Sequence, residues 1–87
     1  MSYTVIVRKS VKKDVKNVPA KILQEIYRII EQLSENPRCE SVKKLKGSDN
    51  LYRIRVGDYR VIFEIDDEEK TVLIVYIRHR KEAYRRL

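Results

Sequence analysis

The sequence predicts one α+β domain over residues 1–87: an N-terminal strand, a helical hairpin, an antiparallel three-stranded meander and a short basic C-terminal tail. Three observations carry this prediction. Apolar residues recur at helical spacing in the first half, at Val11, Val15 and Val18 and again at Ile22, Ile26, Ile29, Ile30 and Leu33. Runs with strand character follow in the second half, at Leu51–Val56, Tyr59–Ile65 and Thr71–Ile77. A chain of 87 residues, with no internal repeat or linker, has room for one small domain and not two.

The elements follow in order. Tyr3 to Arg8 is β-branched and alternating, which reads as a strand. Ser10 suits an N-cap for the short helix through Val11, Val15 and Val18. Asn17-Val18-Pro19 interrupts that helix, and Pro19 is placed to open the next, which runs to about Glu35 before Asn36-Pro37 stops it. Two helices joined so closely must rest their apolar stripes on a sheet. Residues 38–50 read as a loop. Gly57-Asp58 between two alternating runs is a hairpin signal. Val72 to Ile77 is apolar throughout, as suits a central strand covered on both faces. Arg78 to Leu87 form a basic tail compatible with a short helix.

Composition narrows the function. No apolar run approaches the ~18 residues of a membrane span. The N-terminus lacks the charged and apolar regions of a secretory signal, so a cytoplasmic location is expected. Cys39, the one cysteine, can form neither an internal disulfide nor a zinc site. Metal-ligand clusters, a glycine-rich phosphate loop and a nucleophile elbow are all missing, so no metal and no cofactor are expected. The acidic run Asp66–Glu69 could hold a hard cation, although consecutive acids in a turn are usually solvated. A domain this small leaves little room for a deep pocket, and a shallow cleft acting on a polyanion fits better.

The charge points the same way. Twenty Lys and Arg against thirteen Asp and Glu give a net charge of +7. It is distributed as +3 over residues 1–37, +4 over 38–60, −4 over 61–77 and +4 over 78–87. Such basic clusters attract nucleic acid, a membrane surface or an acidic protein, and charge alone does not choose among them.

The hairpin sharpens the reading. A two-residue loop at Gly57-Asp58 pairs Val56 with Tyr59, Arg55 with Arg60, Ile54 with Val61 and Arg53 with Ile62. Alternation then puts Tyr52, Ile54, Val56, Tyr59, Val61 and Phe63 on the helix-bearing face and Arg53, Arg55 and Arg60 on the other. Like charges opposite each other cost roughly 0.2–1 kcal/mol. A bound phosphate would turn that repulsion into binding, because guanidinium groups match its geometry. The other reading has the arginines splayed into solvent or paired with Glu64 or the acidic turn. His79 is the one side chain that titrates near neutrality without a shift, and it is either solvated or functional. Tyr84 is either a core anchor or a plate for stacking a nucleobase.

Three segments resemble a known family in order and spacing. They are Lys44-Leu45-Lys46-Gly47, Leu51-Tyr52-Arg53-Ile54-Arg55-Val56-Gly57-Asp58-Tyr59-Arg60-Val61 and His79-Arg80-Lys81-Glu82-Ala83-Tyr84. The chain resembles the RelE branch of the RelE/ParE toxin superfamily, the toxic halves of type II toxin–antitoxin pairs. The resemblance implies ribosome-dependent, metal-independent cleavage of messenger RNA in the decoding site, by attack of a ribose 2′-hydroxyl that leaves a 2′,3′-cyclic phosphate. It implies that Arg53 and Arg60 hold the scissile phosphate, with Arg55 where the family often carries a lysine proposed as general base. Arg80 would sit by the leaving oxygen, and Tyr84 would stack on or orient the nucleotide. Lys43, Lys44 and Lys46 would contact ribosomal RNA. Arginine at positions 53 and 55 departs from a well-known member's lysines and cannot readily act as a base. His79 is then the candidate for moving the proton. The implied partners are a cognate antitoxin, in a hetero-oligomeric complex, and the ribosome with its message, with no membrane. The alternatives are a ParE-like inhibitor of DNA gyrase and an inactive homologue that binds RNA or the ribosome.

Overall fold

The computed structural model describes residues 2–80. Five strands form one sheet: β1 (Thr4–Val7), β2 (Lys43–Lys44), β3 (Leu51–Val56), β4 (Tyr59–Asp66) and β5 (Thr71–His79), in the order β1-β5-β4-β3-β2. Strands β2 to β5 pair antiparallel, and β1 joins parallel to β5 from Thr4 opposite Thr71 to Val7 opposite Ile74. Helices α1 (Lys9–Asp14) and α2 (Ala20–Glu35), linked by a 3₁₀ turn at Val15–Asn17, lie on one face.

The helix–sheet core is the one the periodicity implies. Val11, Val18, Ile26 and Leu33 from the helical segment meet Ile54, Val56, Val61, Phe63, Ile65, Val72, Ile74 and Ile77 from the sheet, all buried. Pro19 takes the N-cap of α2 and Asn36 its C-cap. Helix α1 does not start from a Ser10 cap. Arg8 still donates its backbone N–H to the Ile74 carbonyl at 3.2 Å, so it is held extended and becomes the N-cap itself. Ser10 falls inside the helix.

The 38–50 segment is not all loop, because Lys43 and Lys44 add a short edge strand against β3. The acidic run is structural. Asp66 Oδ1 accepts the backbone N–H groups of Glu68 and Glu69, both at 3.0 Å, and closes the β4–β5 turn. Strand β5 lies inside the sheet, but helices cover one of its faces only. Val72, Ile74 and Ile77 are buried there, while Leu73, Val75 and Tyr76 are half-buried on the rest of the strand.

The pattern of β5 is explained by a bulge. Ile62 pairs with Tyr76 and Phe63 with Ile74, so Val75 is an extra residue without a partner in β4. One extra residue reverses the facing of everything beyond it. Val72 and Ile74 face the helices before the bulge, and Ile77 and His79 face them after it.

Candidate functional site

The hairpin register is the one the two-residue turn implies: Arg53 opposite Ile62, Arg55 opposite Arg60, Val56 opposite Tyr59. The turn is of type II′ character. Gly57, its first central residue, has φ +59°, and Asp58 does not need the left-handed region. The three arginines therefore share the face that no helix covers among the described residues.

The bulge adds a fourth. Arg78 pairs with Arg60, so one row across the sheet reads Arg55–Arg60–Arg78. The next row on the same face reads Lys43–Arg53–Ile62–Tyr76. Five cations stand in two adjacent rows around Ile62, which is only 5% exposed. This apolar floor keeps water from beneath the guanidinium groups, and the Nε of Arg60 is sealed from solvent. Electrostatic attraction for an anion is stronger over such a floor than over a fully hydrated surface. A shallow cleft of about 250 Å³ opens beside it, lined by Ser41, Lys43, Arg53 and Arg55.

Arg78 is held from three sides. Its Nη1 donates to Asp14 Oδ2 at 2.8 Å and to the Ile77 carbonyl at 3.2 Å, and its guanidinium carbon lies 5.0 Å from the Tyr76 ring centre. Arg38, upstream of β2, makes a two-pronged ion pair with Asp67, both bonds at 2.9 Å, and lies 5.3 Å over the Tyr52 ring. The Tyr3 hydroxyl also donates to Asp67, at 2.8 Å. These bonds, that of Arg38 foremost, hold the Asp67 carboxyl down at about 2 and push the Arg38 guanidinium up.

The other residues singled out in the sequence are dispersed. His79 pairs with Tyr59 on the helix face, its ring edge-on to that tyrosine at 5.1 Å. It lines a polar cavity of about 260 Å³ with Asp14, Asn17 and Tyr59 on the helix side of the sheet. The residue expected to move the proton, His79, thus has its ring on the helix face, beside Tyr59. Arg80 follows the end of β5, donates its backbone N–H to the Asp58 carbonyl at 2.7 Å and is exposed beside the hairpin turn. Tyr84 lies outside the described residues. The three lysines do not line up on one face. Lys43 stands opposite Arg53, Lys44 is opposite Tyr52 on the other face, and Lys46 lies in the turn that Gly47 closes at φ +81°. Strict alternation from Val72 and Ile74 would carry Arg78 to the helix face, and the bulge at Val75 turns it to the arginine face.

The arrangement can bind and polarise a phosphodiester. Comparison with known proteins agrees with the fold and narrows the family. Residues 5–84 match the family model described as the ParE toxin of type II toxin–antitoxin system, parDE. The toxin RelE3 of Methanocaldococcus jannaschii is 39% identical, over 92% of this chain and 93% of its own. The putative toxin RelE1 of the same organism is 35% identical over 98% of both chains. The toxin-fold chain matched in the archaeal RelE–RelB complex of Pyrococcus horikoshii superposes with a TM-score of 0.82, at 30% identity, over 92% of this chain and 97% of that one. A sequence that matches the family model along nearly its whole length, and whose named relatives are RelE toxins, belongs to the RelE/ParE family of toxins of type II toxin–antitoxin systems.

Proposed function

We propose that this toxin is a ribosome-dependent messenger-RNA endoribonuclease that cuts in the decoding site without a metal ion. The observation that carries the reading is the pair of cationic rows, floored by Ile62, on the sheet face that no helix covers among the described residues. The ribose 2′-hydroxyl attacks the adjacent phosphorus, the bond to the 5′-oxygen breaks, and the products are a 2′,3′-cyclic phosphate and a 5′-hydroxyl. Arg53 and Arg60 hold the non-bridging oxygens and stabilise the extra negative charge of the transition state. Arg55 and Arg78 extend that positive field along the row. Preorganised positive charge aimed at developing negative charge is a large catalytic term, and it does not require a base among these residues. Arg80, exposed by the hairpin turn, approaches the leaving oxygen, and Tyr84 stacks on the nucleotide. Lys43 belongs with the phosphate-binding rows, whereas Lys44 and Lys46 face ribosomal RNA.

A cognate antitoxin completes the system. Solved relatives include RelE–RelB complexes from two archaea. A domain of net charge +7 with a row of arginines on one sheet face binds RNA indiscriminately when left free, so an acidic or amphipathic antitoxin in a hetero-oligomeric complex is the partner its charge calls for.

The test is primer extension on ribosomes stalled with a defined codon in the decoding site, with mass spectrometry of the new 3′ ends. A cut inside that codon, ending in a 2′,3′-cyclic phosphate and seen only with ribosomes, is the expected result. The match to a ParE toxin model over residues 5–84 keeps the ParE-like alternative, inhibition of DNA gyrase, as the second reading. Inhibited supercoiling with an intact message would select it.

A further inference from the structure

Helix α1 carries a charge pattern that the arginine rows do not use. Lys9, Lys12, Lys13 and Lys16 recur at the spacing of one helical face, through α1 and into the 3₁₀ turn. Val11, Val15 and Val18 take the opposite side and pack into the core. All four lysines are exposed, as is Arg8 before them, and none of the five makes an ion pair among the described residues. Like charges three and four apart weaken a helix, and an acid in the same stripe would offset that. Asp14 is the one acid in residues 1–24, and its carboxylate leaves the stripe to meet Arg78 at 2.8 Å. That bond sets α1 beside the β5 end of the arginine row, where β1, paired with β5 only as far as Ile74, leaves the strand edge open.

We propose that the lysine stripe of α1 is a second RNA-binding surface, which docks the toxin on the phosphate backbone of a ribosomal-RNA helix while the arginine rows take the message. The proposal rests on the ribosome-dependent reading and adds to it a surface outside the arginine rows. Three observations select this partner. The apolar side of α1 is buried in the core, with Val11 1% and Val18 8% exposed, so the helix keeps no apolar face to lay into a membrane. Every exposed residue from Arg8 to Asn17 is polar, whereas protein interfaces are centred on apolar anchors and are poor in lysine. The stripe is lysine throughout, a compact hydrated charge that suits phosphates met as charge. Contacts of that kind position a protein on nucleic acid without reading its sequence. Made away from the reacting bond, they fix the orientation in which the arginine rows meet the message.

A docking surface and the overall field are told apart by making the same charge change in two places. Sedimentation with empty 70S ribosomes, over a salt series, gives the affinity of the parent chain and of three double variants. These are Lys12→Gln/Lys16→Gln, Lys12→Arg/Lys16→Arg and Arg28→Gln/Lys70→Gln, with folding checked by circular dichroism. Arg28 and Lys70 are exposed, on α2 and in the β4–β5 turn, so the last variant loses the same two charges away from the stripe. The expected result is about tenfold weaker binding for Lys12→Gln/Lys16→Gln, with the slope of log affinity against log salt shallower by about two. Lys12→Arg/Lys16→Arg binds within about twofold of the parent, and so does Arg28→Gln/Lys70→Gln. Equal losses from the stripe pair and the distant pair, or an unchanged salt slope, overturn the proposal. Normal ribosome binding by Lys12→Gln/Lys16→Gln with weakened binding of the cognate antitoxin overturns it in favour of a protein partner. Empty ribosomes hold no message, so a toxin that binds without cutting still gives the answer, whereas a parent chain that binds no ribosome overturns both readings.

Discussion

Arg78 stands opposite Arg60 because Val75 is an extra residue in β5. Without that bulge the alternation begun at Val72 and Ile74 would carry Arg78 to the helix face and His79 to the arginine face. Continuous pairing from Phe63 and Ile74 would set Ile77 opposite Arg60, so the one extra residue exchanges an isoleucine for a guanidinium at the third position of the row.

The exchange gives a paired prediction. Arg78→Ala slows codon cleavage by about 100-fold, the scale of losing one preorganised donor to a transition-state oxyanion. His79→Ala leaves the rate within about twofold, since the ring meets Tyr59 on the opposite side of the sheet. Single-turnover cleavage on stalled ribosomes checks both. A large loss at His79 with none at Arg78 would return proton transfer to the histidine.

Arg55 and Arg60 stand directly opposite each other as like charges across the hairpin. Arg55→Leu should therefore cost the free protein no stability, and it gains up to about 1 kcal/mol as the like-charge pair is lost. Cleavage falls in the same variant. Urea unfolding and the ribosome assay, done together, detect the opposed effects.

Gly57 holds the hairpin register. It sits at φ +59°, and an added Cβ would come within 3.0 Å of Ile22 Cδ1 on α2. Gly57→Ala destabilises the domain by about 1–2 kcal/mol, chiefly through the left-handed backbone, because the Ile22 side-chain end can shift. The change in the urea midpoint reports it. A neutral result would mean that the turn adopts another type without disturbing the arginine pairing.

The Arg38–Asp67 pair makes stability depend on acid. Asp67 titrates at about 2 in the fold against an ordinary 3.8. A carboxyl lowered on folding contributes its stability above its unfolded value, and that contribution disappears as pH falls through the folded one. The difference in melting temperature between the parent chain and Asp67→Asn is therefore full above about pH 4 and closes on acidification towards pH 2. Both partners are largely exposed, so the difference is small and shrinks in high salt. Melting curves across that pH range at two salt concentrations test it.

Local rules determined a large part of this protein from the sequence by itself. The boundaries of α2 follow from Pro19 and Asn36, and the β3–β4 pairing follows from Gly57-Asp58, because caps and tight turns are chosen by a few adjacent residues. The side on which Arg53, Arg55 and Arg60 lie follows from that pairing. Tertiary structure decided what those residues meet. An uninterrupted apolar run such as Val72–Ile77 has no alternation to reveal a bulge, so the positions of Arg78 and His79 waited on the pairing of β5 with β4. Lys43 entered the site through an edge strand of two residues, too short to carry a periodic signal. Asp14 reached Arg78 across 64 positions of sequence because α1 takes over the edge of β5 where β1 ends. Contacts between residues so distant are set by packing the whole chain around one core, and no local pattern encodes them.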